Sequence, residues 1–460
     1  MKVLILGLGQ YEKGSGVSAA LFYARAGAEV LATDLKKEKE IAANVSRLKK
    51  FKNVKFRLGE HRLDDIRWAD VVVRNPRVRA DSKEMRLASK LGKKVESDIS
   101  LFMQRCPCPV VGVTGTRGKS TTSTLVAKML KASGFRVWLG GNILVSPLTF
   151  LSKVKPSDIV VLELSSWQLE ATGDAGISPH VACITNLMRD HLNSYQGMED
   201  YGEAKAQIFR HQTPDDIVVL NADDPFCAQR IQEAPGCVQL FAGTPSRKAD
   251  AWLGTDALMM RFGKQRSVLA KISRLRIFGE HNHLNMLAAA LTARSAGASL
   301  SGIRSSLLAF RGLPHRQEVV ATRHGITFIN DTTATTPDGT IAALRSLAPR
   351  YKTLHVILGG ADKELVFDRL AAELKGMNID LAILPGTAHR KLAGALDRKR
   401  IPYDDAEDLP EAFKLLTLRA SKGDAVVLSP GCASFGLFAN EFERGERFRE
   451  FVRRLCAKIR

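Results

Sequence analysis

The stretch GVTGTRGKST, residues 112–121, sets small residues, a lysine and two hydroxyls in the order that grips phosphate. In the usual loop a glycine stands five residues before the Gly-Lys pair. Here that position is Val113, and the available glycines are Gly112 and Gly115. The physical parts survive the shift: an apolar lead-in at Pro109, Val110 and Val111, a turn of Gly115, Thr116 and Gly118 whose N–H groups can face phosphate oxygens, Lys119 as cation, and the hydroxyls of Ser120 and Thr121. The continuation TTSTLVAKMLKASG carries Leu125, Met129 and Leu130 and stops at Gly134. It predicts a helix whose N-terminus points at the phosphate.

Other chemistry-bearing residues follow at strand ends. DIVVLELSSWQLE (158–170) reads as a buried strand with Glu163 near its end. A carboxylate there, beside a loop hydroxyl, suits Mg2+ bridging nucleotide phosphates, and the rival reading is an acid held by a lysine. HVACITNLMRDHLNSY (180–195) repeats strand and polar turn with Asp190 and His191, and YGEAKAQIF places Lys205 on a predicted helix, where a lysine is by default a solvated charge. GEHNHLNMLAAA (279–290) opens a helix with His281, Asn282, His283 and Asn285. The His-x-His spacing would suit a metal and the amides a purine edge; spacing alone leaves both open.

The elements that must hold these groups alternate between strand-like apolar runs and helix-like stretches, the pattern of parallel α/β domains. The opening VLILGLGQYEKGSGVSAALFYARAGAEVLATDL predicts a strand, a turn with Gly7, Gly9, Gly14 and Gly16, a helix, and a second strand ending at Asp34. This is Rossmann-like, with a longer spacing than G-x-G-x-x-G, so a nucleotide-diphosphate site and a plain tight turn both remain open. Boundaries fall near QRCPCP and RGLPHRQE, giving domains at 1–105, 106–312 and 313–460. In the last, GITFIND, TLHVILGG, LAILPG and DAVVLSPG are strand candidates whose ends are where ligands gather.

Composition bounds the function. The 460 residues, 45% hydrophobic and 25% charged, describe a soluble globular chain rather than a disordered one. No apolar run approaches the ~18 residues of a membrane span, and the short opening run is no signal peptide, so a cytoplasmic protein without membrane insertion is expected. Seven cysteines, with Cys106 and Cys108 spaced C-x-C, do not form a disulfide framework or a recognisable zinc site. The net charge of +20 concentrates partly in residues 36–55, with eight basic and two acidic side chains, and partly in the tail RFREFVRRLCAKIR. No aromatic-interleaved basic motif accompanies it, so solvated basic faces that attract small anions are expected and a nucleic-acid partner is not, although a basic nucleic-acid-binding ATPase remains the rival from another class.

Taken in order, GVTGTRGKST, ELSSWQLE, DHLNSY, AKAQIF, NADDP, GEHNHLN, GLPHRQE, INDTTATTPDG, LGGADK and SPGCASFG resemble the Mur ligases over essentially the whole chain, and among them the glutamate-adding members. The resemblance implies a three-domain α/β fold: a Rossmann-like UDP-binding domain, a P-loop ATPase-like central domain and a Rossmann-like C-terminal domain. It implies an ATP-dependent amide-forming ligase of peptidoglycan precursor synthesis, acting as a monomer. The γ-phosphate of ATP passes to the carboxylate of UDP-N-acetylmuramoyl-L-alanine, and the amine of glutamate attacks the acyl phosphate. Folylpolyglutamate synthases share the central motifs and are the nearest alternative, against which the Rossmann-like opening argues.

By matching motif, the resemblance gives Lys119 the transferring phosphate and Ser120 with Glu163 one Mg2+. His191 and a carbamylated Lys205 serve a second ion. Asn282 and Asn285 line the nucleotide pocket, to which Arg316 and Asp331 also belong. Gly7, Gly9 and Asp34 belong to the UDP end, Asn142 and Ser165 to the muramoyl-alanine, and Thr335, Lys363 and Ser434 to the carboxylates of the amino acid. The sequence departs from the family pattern at Leu144, where GGNIG ends in glycine, in the longer QYEKGSG turn, at Thr333, where NDSKAT has lysine, and at Glu441, where an aromatic is usual. D-glutamate is the implied substrate, and these departures keep L-glutamate open.

Overall fold

The computed structural model describes all residues except 144, 191–193, 247, 264 and 458–460. Two compact units result, Met1–Arg276 with Glu280–Phe310, and Ile277–Gly279 with Arg311–Arg460.

The first unit holds two sheets. Strands β1 (Lys2–Leu6), β2 (Glu29–Asp34), β3 (Val54–Leu58), β4 (Val71–Arg74) and β5 (Lys94–Glu96) pair in parallel in the order β3-β2-β1-β4-β5. Both faces of β1 are covered, which is why its sequence is an unbroken apolar run. Val3 and Ile5 pack with Val17 and Ala20 of the helix Ser15–Arg25, while Leu4 and Leu6 pack with Ile66 and Met85 on the other face. A Cβ on Gly16 would stand 2.1 Å from Gly7 O, so only glycine lets this helix seat on the turn.

The second sheet contains β6 (Val110–Thr114), β7 (Val137–Gly141), β8 (Ile159–Glu163), β9 (Val181–Ile184), β10 (Ile217–Asn221), β11 (Cys237–Ala242), β12 (Ala251–Leu253), β13 (Ala257–Phe262) and β14 (Gln265–Lys271). Their order is β14-β13-β12-β11-β10-β9-β6-β8-β7, parallel from β12 to β7 with an antiparallel edge at β13 and β14. The central place of β6, between β9 and β8, sets its carboxyl end in the crevice where open parallel sheets bind ligands. As predicted, the phosphate-loop strand runs into a helix, Lys119–Ala132, capped at Ser133 just before Gly134. The two sheets are tied by Arg74, at the end of β4, which donates to Trp167 O and to Glu170, and by Ser146 N–H donating to Lys13 O.

The second unit is one sheet of β15 (Glu318–Arg323), β16 (Ile326–Asn330), β17 (Leu354–Gly359), β18 (Ile379–Leu384), β19 (Asp404–Asp405) and β20 (Ala425–Leu428), ordered β15-β16-β20-β17-β18-β19. Only β15 and β16 pair antiparallel. The four expected strands are β16, β17, β18 and β20. The half-exposed β15, whose apolar run is only Val319, Val320 and Ala321, and the two-residue, all-acidic β19 are edge strands that the sequence announces weakly. Val356, Leu358, Leu381 and Ile383 fill one face; Ile357, Ala382, Leu384 and Val426 fill the other.

No described helix is long and apolar enough to cross a membrane. The cysteines are free thiols, with Cys106 Sγ 3.7 Å from Cys108 Sγ.

Candidate active site

The phosphate loop is a backbone cradle braced from behind by the turn that follows β9. Gly115 and Gly118 have φ of 142° and 83°, conformations that side chains disfavour. Space is closed to them as well: a Cβ on Gly115 would stand 1.9 Å from Thr185 Oγ1, and one on Gly118 2.0 Å from Asn285 Oδ1. Thr116 N–H donates to Asn186 O, Arg117 N–H to Asn186 Oδ1, and the Thr185 hydroxyl to Arg117 O. Thr116 Oγ1 accepts from Met188 N–H. Lys119 begins the helix, followed by the partly buried Ser120 and Thr121, and its Nζ donates to Gly115 O and Thr116 O, both at 2.9 Å. The ammonium thus lies over the loop whose N–H groups and helix terminus attract an anion.

Asn285 lies on the helix Glu280–Ser295, buried against Gly118, and Thr122 reaches toward its carbonyl. Asn282, one turn earlier on the same helix, is partly buried.

Glu163 ends β8, directly beside β6, in register with Val113. It is 2% exposed; Asn142 Nδ2 donates to its Oε1 at 2.9 Å, while Oε2 is buried with no hydrogen-bond partner among the described residues. An orphaned carboxylate oxygen at the phosphate loop is what a hard cation requires, so the donor set of Glu163 and the Ser120 hydroxyl fits Mg2+. Among the described residues no group of three or more His, Cys, Asp or Glu side chains is placed to hold a metal ion. Asn142 is locked on both sides, its N–H also donating to Glu163 O. Ser165 is the N-cap of the helix Ser166–Asp174, accepting from Gln168 N–H in a capping box, a structural duty the motif alone did not reveal.

Lys205 overturns the default for a helical lysine. It is 1% exposed, its Nζ donates to Gly115 O at 3.0 Å and lies 4.6 Å from the centroid of the Tyr201 ring. Burial, then the charge of Lys119, push its pKa well below the usual lysine range, with Asp190 pulling the other way. Asp190 also pairs with Arg117 at 3.7 Å. His191, the other candidate on this turn, lies outside the described residues, as does Leu144.

At the first sheet, Gly7 and Gly9 turn with φ of 91° and 81°. Asp34 braces that turn, Oδ2 accepting from Gly9 N–H at 2.7 Å and Oδ1 from Lys36 N–H. Asn44 and Asn75, absent from the motif reading, donate to Gly9 O and Gly7 O.

In the second unit, exposed Arg316 neighbours buried Asp331, whose carboxylate accepts from Gln317 N–H and the Ser429 hydroxyl. Burial raises the Asp331 pKa to about 7, opposed by those hydrogen bonds and by the Arg316 charge. Thr335, Lys363 and Ser434 follow β16, β17 and β20, three adjacent strands, so their loops share one sheet edge. Ser434 Oγ is buried and has no hydrogen-bond partner among the described residues. Lys363 is exposed, its Nζ 5.1 Å from the Phe435 ring centroid.

The sequence matches the Mur ligase middle domain over residues 113–293 and the Mur ligase, glutamate ligase domain over 315–432. It is 40% identical to the UDP-N-acetylmuramoylalanine–D-glutamate ligase of Roseiflexus sp. (strain RS-1), covering 98% of each chain. The chain belongs to the Mur ligase family. Two solved Mur ligases share its fold. MurF from Acinetobacter baumannii has a TM-score of 0.63 at 19% identity, covering 98% of this chain and 93% of that one. The MurF ligase from Thermotoga maritima, in complex with ADP, has a TM-score of 0.61 at 18% identity and 98% coverage of both.

Within this Mur ligase, an open cavity of about 660 Å3 lined by Arg79, Trp167, Glu170, Tyr195, Glu203 and Gln207 among others holds none of the candidate site residues, although it borders the ELSSWQLE, DHLNSY and AKAQIF motifs. Its many carboxylates make it a poor host for phosphate, whereas the loop at Gly115–Lys119 is built for one. The residues that motif reading missed, Thr185, Asn186, Asn44 and Asn75, all act on backbone groups of the two glycine turns. Their only signal was position: small amide or hydroxyl side chains just after a strand or within a helix facing a turn.

Proposed function

We propose that this ATP-dependent amide-forming ligase joins D-glutamate to UDP-N-acetylmuramoyl-L-alanine, a step of peptidoglycan precursor synthesis and so of cell shape and division. The reading is supported by end-to-end similarity to a relative of that name and, as the single structural observation that carries it, by the braced phosphate loop with Lys119, orphaned Glu163 Oε2 and buried Lys205 gathered about it.

The carboxylate of the substrate attacks the γ-phosphorus of ATP and ADP departs. The amine of glutamate then attacks the acyl carbon, phosphate leaves and the amine loses a proton, so each ATP yields one amide, one ADP and one phosphate. Carboxylate and phosphate repel each other; Lys119 and the loop N–H groups offset that charge and hold the phosphate for in-line attack. Ser120 and Glu163 would hold Mg2+, which when bound neutralises phosphate charge. Asn142 orients Glu163 toward it. Lys205, buried and easily neutral, adds through its amine to CO2 with loss of a proton. The resulting carbamate would offer oxygens to a second ion, with His191 its partner from the resemblance. Residues 1–105 serve the UDP end through the turn at Gly7, Gly9 and Asp34, 106–312 serve ATP, with Gly115, Thr116, Gly118, Thr121, Asn282 and Asn285, and place Asn142 and Ser165 at the muramoyl-alanine. Residues 313–460 supply Arg316 and Asp331 to the nucleotide and Thr335, Lys363 and Ser434 to glutamate. A cytoplasmic monomer completes the proposal.

The test is amide formation by the purified chain with ATP, Mg2+, UDP-N-acetylmuramoyl-L-alanine and D- or L-glutamate in parallel, read by product mass and phosphate release. Product with D-glutamate, and ADP release that requires the muramoyl substrate, is expected. Preference for L-glutamate overturns the stereochemistry alone. Hydrolysis of ATP without that substrate, stimulated by nucleic acid, overturns the reading in favour of a nucleic-acid ATPase.

A further inference from the structure

The largest fully buried side chain among the described residues is a cation, Arg444, on the helix Glu441–Ala457. Its Nε donates to Thr332 Oγ1 at 3.0 Å, Nη2 to Thr332 O at 3.0 Å and to Cys432 O at 3.2 Å, and Nη1 to Ala433 O at 3.4 Å. Ala433 in turn exchanges backbone hydrogen bonds with Ala361, and a Cβ on Gly360 would stand 3.3 Å from Nη1. One guanidinium therefore braces the loops that leave β16, β20 and β17, the three adjacent strands at the middle of the sheet. These are the loops that carry Thr335, Ser434 and Lys363.

No carboxylate among the described residues lies within ion-pair distance of Arg444. Its fork meets hydroxyl and carbonyl oxygens, which satisfy four of its five N–H donors and leave its charge standing. Burial lowers its pKa to about 10, opposed by Cys432 and then by the charge of Glu441, which still leaves it protonated at neutral pH. At position 333, where the family pattern has a lysine, Thr333 turns its hydroxyl to His315 O. Directly after Ala433, whose carbonyl Arg444 holds, comes Ser434 with its unpartnered buried hydroxyl.

We propose that Arg444 is a positioning residue for the incoming amino acid: from beneath the three loops it fixes the carboxylate-binding groups of Thr335, Lys363 and Ser434 and supplies the positive field that the absent lysine would have added. This rests on the assignment of those residues to glutamate. A carboxylate arriving at the loops meets a charge with no carboxylate in ion-pair contact, through a low-dielectric layer where its influence is screened little. The bound amino acid thereby becomes the counter-anion that the buried cation lacks.

The test uses the full chain with Arg444→Gln, Arg444→Lys and Thr332→Val, alongside Lys363→Met as a direct-contact control. For Arg444→Gln, KM for glutamate should rise ~10- to 100-fold, with KM for ATP and for the UDP substrate unchanged within about twofold. Arg444→Lys, which keeps charge and loses the fork, should recover part of that rise, and Thr332→Val, which removes the Nε acceptor together with the hydroxyl's hydrogen bond to Glu441 O, should show a smaller one. Equal rises in all three KM values, or Lys no better than Gln in folded protein, would reduce Arg444 to a scaffold residue and overturn the proposal. Should Arg444→Gln not fold, Thr332→Val decides: an unchanged KM for glutamate overturns it. Lys363→Met separates the two levels. A normal KM for glutamate there removes the underlying site assignment, whereas a raised one with an unaffected Arg444→Gln removes only this inference.

Discussion

Lys119 and Lys205 donate to the same carbonyl oxygen, Gly115 O, at 2.9 and 3.0 Å. Two ammonium groups on one acceptor, one of them nearly inaccessible, repel each other in a site that solvent screens poorly. The strain is relieved when Lys205 is neutral. The carbamate proposed above would remove it, by placing an anion beside cationic Lys119.

From this follows the behaviour of Lys205 variants. Lys205→Ala should lose at least ~100-fold in turnover, the scale of removing a charge-stabilising group from a phosphoryl-transfer site. A short carboxylate such as acetate should restore part of it by supplying oxygens to the metal. Lys205→Arg should stay inactive, since arginine remains a cation and cannot be carbamylated. Steady-state phosphate release with and without added carboxylate checks this; full activity of either variant would return Lys205 to a structural role.

How much of this was legible in the sequence depends on which physical signal each residue leaves. The β6 strand, its loop and the helix from Lys119 announce themselves through apolar run, glycines and periodicity. Lys205 and Arg444 do not, because a buried cation and a solvated one look alike in a helical, charged stretch; only the tertiary fold shows what covers them. Bracing by Thr185 and Asn186 was hidden because the strands β6 and β9 are far apart in sequence and pair only through parallel crossovers. Ser165 carries two signals at once, its S-x-x-Q spacing being a helix cap as well as part of a family motif.

Gly118 combines a left-handed φ of 83° with a closed space against Asn285 Oδ1. Gly118→Ala should destabilise by ~1–3 kcal/mol and impair ATP binding. Adding Asn285→Ala opens the space and leaves the φ cost of ~1–2 kcal/mol, so the double variant should recover some stability but no activity, the Asn285 amide being lost as well. Urea midpoints of the two variants measure the split.

Arg74 tests the tie between the first two sheets. Its side chain is 3% exposed, faces Glu170 at 3.3 Å, and shares that carboxylate with the Tyr195 hydroxyl, which donates at 2.8 Å. Arg74→Met strands a half-buried acid whose pKa burial already raises, and should cost ~2–4 kcal/mol. Glu170→Gln in the same chain should return part of the loss. A double-mutant cycle with purely additive effects would deny the coupling.

Asp331 supplies a pH dependence whose sign is fixed by burial. Its folded pKa of about 7 lies above the ~3.9 of an exposed aspartate, so the folded chain holds this proton more tightly than the unfolded chain. Between those values the native state binds more protons, and the contribution of Asp331 to stability falls as pH rises through the window, then levels off above about 7. Asparagine can occupy the site: its amide carbonyl can accept from Gln317 N–H, and its NH2 can donate to Ser429 Oγ, which has Thr340 Oγ1 at 3.2 Å as an alternative acceptor. Asp331→Asn should therefore match the parent near ~pH 4 and exceed it near ~pH 8 by on the order of 4 kcal/mol. Urea midpoints of variant and parent across that range, taken as a difference so that other titrating groups cancel, make the measurement. A variant that is less stable at the alkaline end would mean that Asp331 is ionised and stabilising in the fold, with the Arg316 charge and its hydrogen bonds outweighing burial.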